Sequence, residues 1–193
     1  MISVCIPAFN FDITSLVNEL TRQIELLNQP AEIVVIDDCS NEEYKKINRV
    51  VCQKHVYLEL EKNIGRARIR NLFLQFAKYD YLLFLDCDSS IPTASFLVKY
   101  VEIISEKTAV VCGGRINDNS KPSRDKRLRW KYCHKREIRS VEVRNKFPNN
   151  SFMTNNFLIN RKILEEIKFD ERITGYGHED TLFGYSLKKN NIV

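Results

Sequence analysis

The stretch YLLFLDCDSS, residues 81–90, places five apolar residues directly before two aspartates that one cysteine separates. An uninterrupted apolar run of this length predicts a β-strand that is buried on both faces, as in a parallel sheet. Asp86 and Asp88 then lie at its carboxyl end, where two carboxylates repel each other unless a cation lies between them. Mg²⁺ and Mn²⁺ prefer such oxygen ligands, so the stretch predicts a metal site. The alternative is that Asp88 caps the next turn and that Asp86 is an ordinary loop residue.

The first half of the chain alternates between strand-like and helix-like segments. Short apolar runs predict further strands at 2–7, 32–38, 56–60 and 109–114. Apolar residues at helical spacing predict helices at 13–27, 63–79 and 96–104, and a fourth at 40–53 that opens with a capping box of Ser40 and Glu43. This order indicates βαβ units and a mostly parallel sheet with helices on both faces.

Polar residues follow three of these strands. PAFN (7–10), DDCS (37–40) and DCDSS (86–90) come after the first, second and fourth strands. In open α/β sheets, ligands bind outside the carboxyl ends of the strands. The three loops are therefore expected to line one crevice.

The second half is less regular and carries the positive charge. Residues 121–146 hold eleven Lys or Arg and three acidic residues, a charge of +8, so the remaining residues carry 5 − 8 = −3. The segment is either a solvated, mobile face or a surface for an anionic membrane or a phosphate-bearing ligand. Nucleic acid is not favoured, because only Trp130 and Tyr132 interrupt the segment and Phe147 follows it, too few aromatic residues for a stacking surface. Beyond it, 155–160 is a short apolar run and 161–167 a short predicted helix.

Composition places the chain among soluble globular proteins, with 193 residues, 44% of them hydrophobic and 28% charged. No signal peptide is visible at Met1, and the longest apolar run has five residues, far fewer than the roughly 20 that span a membrane. The six cysteines form no C-x-x-C pair, which argues against a zinc site or a disulfide framework. The sequence thus predicts a cytoplasmic protein, with peripheral contact at the inner membrane face through residues 121–146.

Five motifs together resemble a known enzyme family. They are SVCIPAFN (3–10), EIVVIDDCS (32–40), NIGRARIRN (63–71), YLLFLDCDSS (81–90) and GYGHEDTLFGYSLKKNN (175–191). Their order is similar to that of family 2 glycosyltransferases of the GT-A fold. The resemblance implies an α/β fold with a mixed, mainly parallel sheet and helices on both faces. It also implies a single domain over 1–193, with a nucleotide-binding half at 1–114 and an acceptor-side half at 115–193.

The implied activity is transfer of a sugar from a nucleotide-diphospho-sugar, a UDP-sugar first of all, to a glycan or lipid-linked glycan, with inversion and with help from Mn²⁺ or Mg²⁺. By this resemblance a set of residues binds the nucleotide-sugar: Pro7, Phe9, Asn10, Asp38, Asn63, Gly65, Arg70, Asn71 and Asp86. Phe9 packs on the base, and core packing is its alternative role. Asp38 hydrogen-bonds the base, and helix capping is its alternative.

The resemblance also assigns the metal and the chemistry. Asp88 is the direct metal ligand, and Asp86 shares the motif while lying nearer the ribose. Asp180 is the general base, since removal of the acceptor hydroxyl's proton assists its attack on the anomeric carbon. Glu179 holds the acceptor, although both acids also suit the first turn of a helix. Further acceptor contacts are assigned to Asn156, Tyr176 and His178.

Two features depart from the family pattern. No histidine follows Asp180 to serve as a further metal ligand, and the chain stops soon after the last helix. The acceptor-side half is therefore expected to be shortened at its C terminus. A nucleotidyltransferase, or a non-catalytic domain that binds a nucleotide or an anionic surface, is the alternative. A dinucleotide oxidoreductase would need G-x-G-x-x-G after the first strand, and none is present.

Overall fold

A six-stranded sheet forms the centre of the computed structural model, which describes residues 1–116, 120, 122–174 and 177–192. The strands are β1 (Ile2–Ala8), β2 (Ala31–Asp37), β3 (Val56–Glu59), β4 (Tyr81–Leu85), β5 (Val110–Cys112) and β6 (Asn156–Asn160). Their spatial order is β3-β2-β1-β4-β6-β5. The first four are parallel, and β6 is antiparallel to both of its neighbours. The predicted mixed, mainly parallel sheet is confirmed.

Eight α-helices in the described part of the chain surround or extend this sheet. They are α1 (Thr14–Glu25), α2 (Glu42–Val51), α3 (Arg66–Phe76), α4 (Phe96–Ile103), α5 (Arg127–Tyr132), α6 (Val141–Lys146), α7 (Arg161–Ile167) and α8 (Glu179–Lys189). Short 3₁₀ turns lie at Arg124–Lys126 and Pro148–Ser151, and a π-helical turn lies at Cys133–Glu137.

Two helix starts differ from the sequence-based prediction. Helix α2 begins at Glu42 after Asn41, and no side chain caps it, so the predicted capping box of Ser40 and Glu43 is wrong. The Ser40 hydroxyl instead accepts a hydrogen bond from the Asn10 backbone N–H at 2.8 Å. Helix α3 begins only after Gly65, whose φ of +82° and ψ of 169° cannot be continued into a helix.

The two faces of the sheet carry separate cores. One face packs against α1 and α4, and the other against α3, α7 and α8. The second core is rich in aromatic rings: Phe84 stacks on Phe157 with centroids 4.8 Å apart, and Phe169 stacks on Phe183 at 4.0 Å. Truncation of a buried Phe to Ala costs about 3–5 kcal/mol, so this cluster fixes α8 against the sheet.

The carboxyl ends of the strands meet at one edge, as the sequence indicates. The Asp38 backbone N–H donates to the Ala8 carbonyl at 2.8 Å, which joins the loops after β1 and β2. The Asp86 N–H donates to the Asn155 carbonyl at 3.2 Å, which joins the loop after β4 to the residues before β6. Strand β6 thus brings the second half of the chain to the same edge.

Candidate active site

The loop after β2 is organised by its two aspartates. Asp38 is 6% exposed, and its carboxylate accepts hydrogen bonds from the backbone N–H groups of Ile64 at 2.7 Å and Gly65 at 3.0 Å. Burial raises its pKa, the two N–H groups lower it, and the charge of Asp37 adds to the rise, so that the net shift is upward. The carboxylate therefore holds the segment before α3 in place. A carboxylate offers about four acceptor positions, so positions remain for a base.

Asp37, rather than Asp38, is the aspartate that stabilises the turn before α2. Its carboxylate accepts from the Ser40 backbone N–H at 2.6 Å. Neither aspartate caps α2, because no side chain bonds to the first N–H groups of this helix.

The loop after β1 presents an aromatic ring to solvent. Phe9 is 49% exposed, so it does not contribute to the core, which was the alternative role for this residue. Asn10 adopts a left-handed conformation with φ of +48°, and its side-chain carbonyl accepts from the Asn41 backbone N–H at 2.8 Å. Pro7 lies within β1 and is partly buried. The ring is thus held on a fixed turn and free to stack on a flat ligand.

A buried arginine connects the two acidic motifs. Arg70 is 3% exposed; its guanidinium donates to the Asp86 carboxylate at 3.2 Å and lies 3.7 Å from the Glu179 carboxylate. The same guanidinium donates to the Arg66 carbonyl at 3.2 Å and lies over the Phe169 ring, 5.7 Å from its centroid. Burial lowers the pKa of Arg70, and the negative charges of Asp86, Glu179 and Asp180 oppose that shift. The D-x-D motif and the E-D pair therefore meet at one side chain.

Asp86 and Asp88 have different surroundings despite their spacing. Burial raises the pKa of Asp86, the charge of Arg70 lowers it, and the charge of Asp88 raises it further. Asp88 is exposed and makes no hydrogen bond or ion pair with the described residues. In the described ranges, no group of three or more His, Cys, Asp or Glu could hold a metal ion. An exposed carboxylate next to a second one fits a cation that takes its other ligands from a diphosphate and water.

The E-D pair begins helix α8. Glu179 is only 4% exposed and lies 3.4 Å from the Arg66 guanidinium as well as close to Arg70. It is therefore placed to orient these arginines, and its burial does not favour the acceptor contact predicted for it. Asp180 is partly exposed, and its carboxylate accepts from the Thr181 N–H at 2.7 Å. His178 precedes the helix in a left-handed conformation with φ of +70° and is exposed.

The remaining predicted site residues have varied positions. Asn71 donates both side-chain N–H groups, to the Phe169 carbonyl and to the Glu171 carboxylate, each at 2.9 Å. It also accepts from the Phe169 N–H, so it holds the 169–171 segment and can act on a nucleotide only indirectly. Asn63 donates to the Asp38 carbonyl at 3.1 Å. Tyr176 lies outside the described residues.

A large cleft opens at Asp88 and runs along α4 and β5. Its volume is about 1320 Å³. Asn156 lies in its wall and accepts a hydrogen bond from the Tyr100 hydroxyl at 2.6 Å. The lining also includes Arg115 and Arg144. The sequence did not single out these two arginines, although the charge density of 121–146 could have indicated Arg144.

The basic segment is partly folded onto the rest of the protein. Cys133 is 5% exposed, and Glu137 pairs with both Arg115 and Arg129. Burial raises the pKa of Glu137, but hydrogen bonds from Arg129 and Cys133 and the charges of both arginines lower it overall. In the described part of the chain, none of the helices has the length and hydrophobicity that a bilayer crossing requires.

Comparison with known proteins identifies the class of this domain. The family model for glycosyl transferase family 2 matches residues 3–168, which is most of the chain. The chain belongs to this family. It is 29% identical to the chondroitin synthase of Pasteurella multocida (strain Pm70), in an alignment that covers 96% of this chain and 23% of that protein.

Solved structures confirm the GT-A fold. The crystal structure of S. aureus TarS 1-349 in complex with UDP-GlcNAc matches with a TM-score of 0.66 and 25% identity, covering 96% of this chain and 52% of that one. The mannosyltransferase PcManGT from Pyrobaculum calidifontis, in complex with GDP-Man and Mn²⁺, matches with a TM-score of 0.63 at 17% identity, covering 97% and 51%, and shares the fold. The chain therefore spans about half of these crystallised chains and less than a quarter of the curated relative.

Proposed function

We propose that this domain transfers a sugar from a UDP-sugar to a hydroxyl of a saccharide or lipid-linked saccharide, with inversion at the anomeric carbon. The observation that carries the proposal is Arg70, which joins Asp86 of the D-x-D motif to Glu179 of the E-D pair. Because the donor-binding motif and the motif with the proposed base both contact the buried side chain of Arg70, they form a single site. The match to TarS bound to UDP-GlcNAc supports a UDP-sugar as donor.

The nucleotide end of the donor would lie on the loops after β1 and β2. The exposed ring of Phe9 offers a stacking surface for uracil. Asp38 is fixed by the N–H groups of Ile64 and Gly65, so its remaining acceptor positions have a defined direction. Because Gly65 carries no side chain and a Cβ there would meet no atom within 4 Å, the backbone at this point is open to a ligand.

Asp88 and Asp86 would hold a divalent cation, Mn²⁺ or Mg²⁺, together with the donor diphosphate. A cation bound there would stabilise the negative charge that develops on the leaving diphosphate. Asp86 is the less available of the two carboxylates because Arg70 binds it. Asp88 is therefore the principal ligand in this proposal.

Asp180 would act as the general base. The acceptor oxygen forms the new bond to the anomeric carbon, the bond from that carbon to the diphosphate oxygen breaks, and the proton of the acceptor hydroxyl passes to the Asp180 carboxylate. Glu179 and Arg70 act as positioning residues, because both are buried, Glu179 contacts Arg66 and Arg70, and Arg70 contacts Asp86. Asn156, Tyr176 and His178 remain proposed acceptor contacts.

The cellular location of the protein is also part of this proposal. Residues 121–146 include a shallow exposed patch of apolar and basic side chains, Leu128, Lys131, Tyr132, Lys135 and Arg136, that suits peripheral contact with an anionic cytoplasmic membrane face. The alternatives, a nucleotidyltransferase and a non-catalytic nucleotide-binding domain, would leave Asp180 without a role.

The test measures donor binding and transfer separately. Calorimetry of UDP with and without Mn²⁺ should show metal-dependent binding that Asp88→Asn abolishes. Asp180→Asn should keep donor affinity within a few-fold and lose transfer by roughly 10²–10⁴. Asp80→Asn is the matched control, because Asp80 is exposed and precedes β4, at the end opposite Asp88. Unchanged Mn²⁺ dependence in Asp88→Asn would contradict the metal assignment, and equal losses of binding and transfer in Asp180→Asn would contradict the base.

A further inference from the structure

The cleft beside β5 carries more positive charge than a site for a neutral sugar needs. Among the described residues, the charged side chains of its lining are four basic ones and one acidic one: Lys99, Arg115, Arg129, Arg144 and Asp88. Glu137 pairs with both Arg115 and Arg129, so one carboxylate serves two guanidinium groups. Lys99 and Arg144 make no ion pair with a described residue, so the described part of the lining carries more positive than negative charge.

Arg144 is held in the wall of this cleft without a carboxylate partner among the described residues. Its guanidinium donates to the Cys112 carbonyl at 2.8 Å and packs on Gly114, where an added Cβ would come within 3.0 Å of it. Its Nε is shielded from solvent and has no hydrogen-bond partner in the described structure. A guanidinium fixed in this way on a backbone carbonyl is pre-organised for a phosphate or carboxylate.

The lining of the cleft also contains an acceptor that lacks a donor. Asn155 Oδ1 is shielded and has no hydrogen-bond partner in the part of the chain that the structure describes. The Asn155 backbone carbonyl accepts from the Asp86 N–H, so this residue lies directly beside the D-x-D loop. A hydroxyl group is the natural partner of such an oxygen. The cleft lining therefore combines anion-binding side chains with a residue whose acceptor is unpaired beside the D-x-D loop.

We propose that this cleft binds the acceptor, and that the acceptor is an anionic chain in which phosphate or carboxylate groups alternate with hydroxyls. This inference rests on the proposed transferase function and specifies its acceptor class. The cleft's volume of about 1320 Å³ exceeds the roughly 300–1,000 Å³ typical of sites for a single small molecule, which suits several units of a chain. Because Asp88 is in the lining of the cleft, a chain bound along it reaches the donor end of the site.

The experiment measures binding of oligomers without any donor. The probes are a glycerol-phosphate hexamer, a hexasaccharide with a uronate in every second position, and neutral chitohexaose, each titrated at low and at physiological salt. At least one anionic probe should bind about tenfold more tightly than chitohexaose, and salt should weaken that binding. The stronger of the two anionic probes shows whether the cleft selects phosphate or carboxylate.

Variants then test whether the anionic oligomers bind in the cleft. Arg144→Gln should weaken the preferred anionic probe by about tenfold, and Lys99→Gln, at an exposed position on α4, by about two- to fivefold. Arg127→Gln is the matched control, because Arg127 is an exposed arginine of the same segment that lines neither the cleft nor the exposed patch around Arg136. It should change the affinity less than twofold. Lys99→Gln keeps the test valid if loss of the bond to the Cys112 carbonyl disturbs folding in Arg144→Gln.

Three results would overturn the inference: equal binding of chitohexaose, an effect of Arg127→Gln as large as that of Arg144→Gln, or a parallel loss of UDP affinity in Arg144→Gln. The last would assign Arg144 to the donor diphosphate. UDP binding by the unmutated protein is measured on the same sample. Its absence would refute the transferase function, whereas the oligomer comparison would still report on the cleft.

Discussion

Replacement of Arg70 by methionine tests the connection between the two acidic motifs. The change removes a 3% exposed cation and leaves Glu179, which is 4% exposed, with Arg66 alone at 3.4 Å. Removal of one partner from a buried ion pair costs about 3–5 kcal/mol. Asp86 is about one-third exposed and Arg66 about half exposed, so solvent and the remaining pair reduce the loss. We expect a loss of about 3 kcal/mol in the free energy of unfolding.

Urea unfolding followed by circular dichroism measures this loss, and thermal unfolding should show a fall in Tm of about 6–12 °C. Arg68→Met is the matched control on the same helix. Arg68 lies 3.9 Å from Glu171, and both side chains are 50% exposed, so its loss should cost less than about 1 kcal/mol. In the double variant Arg70→Met/Glu179→Gln, part of the stability should return, because the buried carboxylate is gone. Equal effects of Arg70→Met and Arg68→Met would refute the buried network.

Three further predictions concern the loops and the sheet edge. Gly65→Ala should cost about 1–3 kcal/mol in urea unfolding, because its φ of +82° and ψ of 169° suit only glycine, whereas no neighbour obstructs the new methyl group; a neutral result would contradict the backbone conformation. Gly113→Ala should lower the free energy of unfolding by about 1–3 kcal/mol for a different reason, since the added Cβ would lie 2.4 Å from the Asn156 side chain and closer still to the Tyr100 hydroxyl. If the contact with the hydroxyl is the cause, Tyr100→Phe should recover part of this loss of stability. The pKa of Asp86 is raised in the folded protein, so Asp86 stabilises the fold at a pH below the ordinary pKa of 3.8, and this stabilisation is lost as the pH rises. The stability of Asp86→Asn relative to the unmutated chain should therefore increase as the pH rises from that value. A constant difference in stability would show that the pKa of Asp86 is not raised.

Local patterns predicted the elements of the fold well. The five apolar residues of 81–85 form β4, and the short helix expected at 161–167 is α7. Both could be predicted because the hydrophobic pattern of a strand or helix depends on residues that are close in sequence. The limits of α3 were less accurate: the predicted helix began at Asn63, but the conformation of Gly65 delays the start of the helix to Arg66. Competition among neighbouring polar side chains also decided the start of α2, where Ser40 bonds to Asn10 instead of capping the helix.

Pairings between distant residues could not be predicted in this way. Arg70 and Glu179 were both singled out, but their contact joins residues from α3 and α8 and depends on how the aromatic core docks the two helices. Asn71 was expected beside the nucleotide, yet its amide holds the 169–171 segment, almost a hundred residues away in sequence. The charge excess of the cleft arises in the same way, because Lys99, Arg115 and Arg144 come together only when the basic segment folds against β5.

The position of β6 between β4 and β5 has a consequence for the order in which the chain folds as it is synthesised. About 70 residues separate Leu85 from Asn156, and at roughly 5–20 residues per second the ribosome needs several seconds to produce them. During that interval one edge of β4, a strand whose five residues are all buried in the folded protein, has no partner. An unpaired apolar strand edge is a template for aggregation. Nascent chains that end before Asn156 should therefore depend on chaperones, and 1–114 should not persist as a soluble fragment.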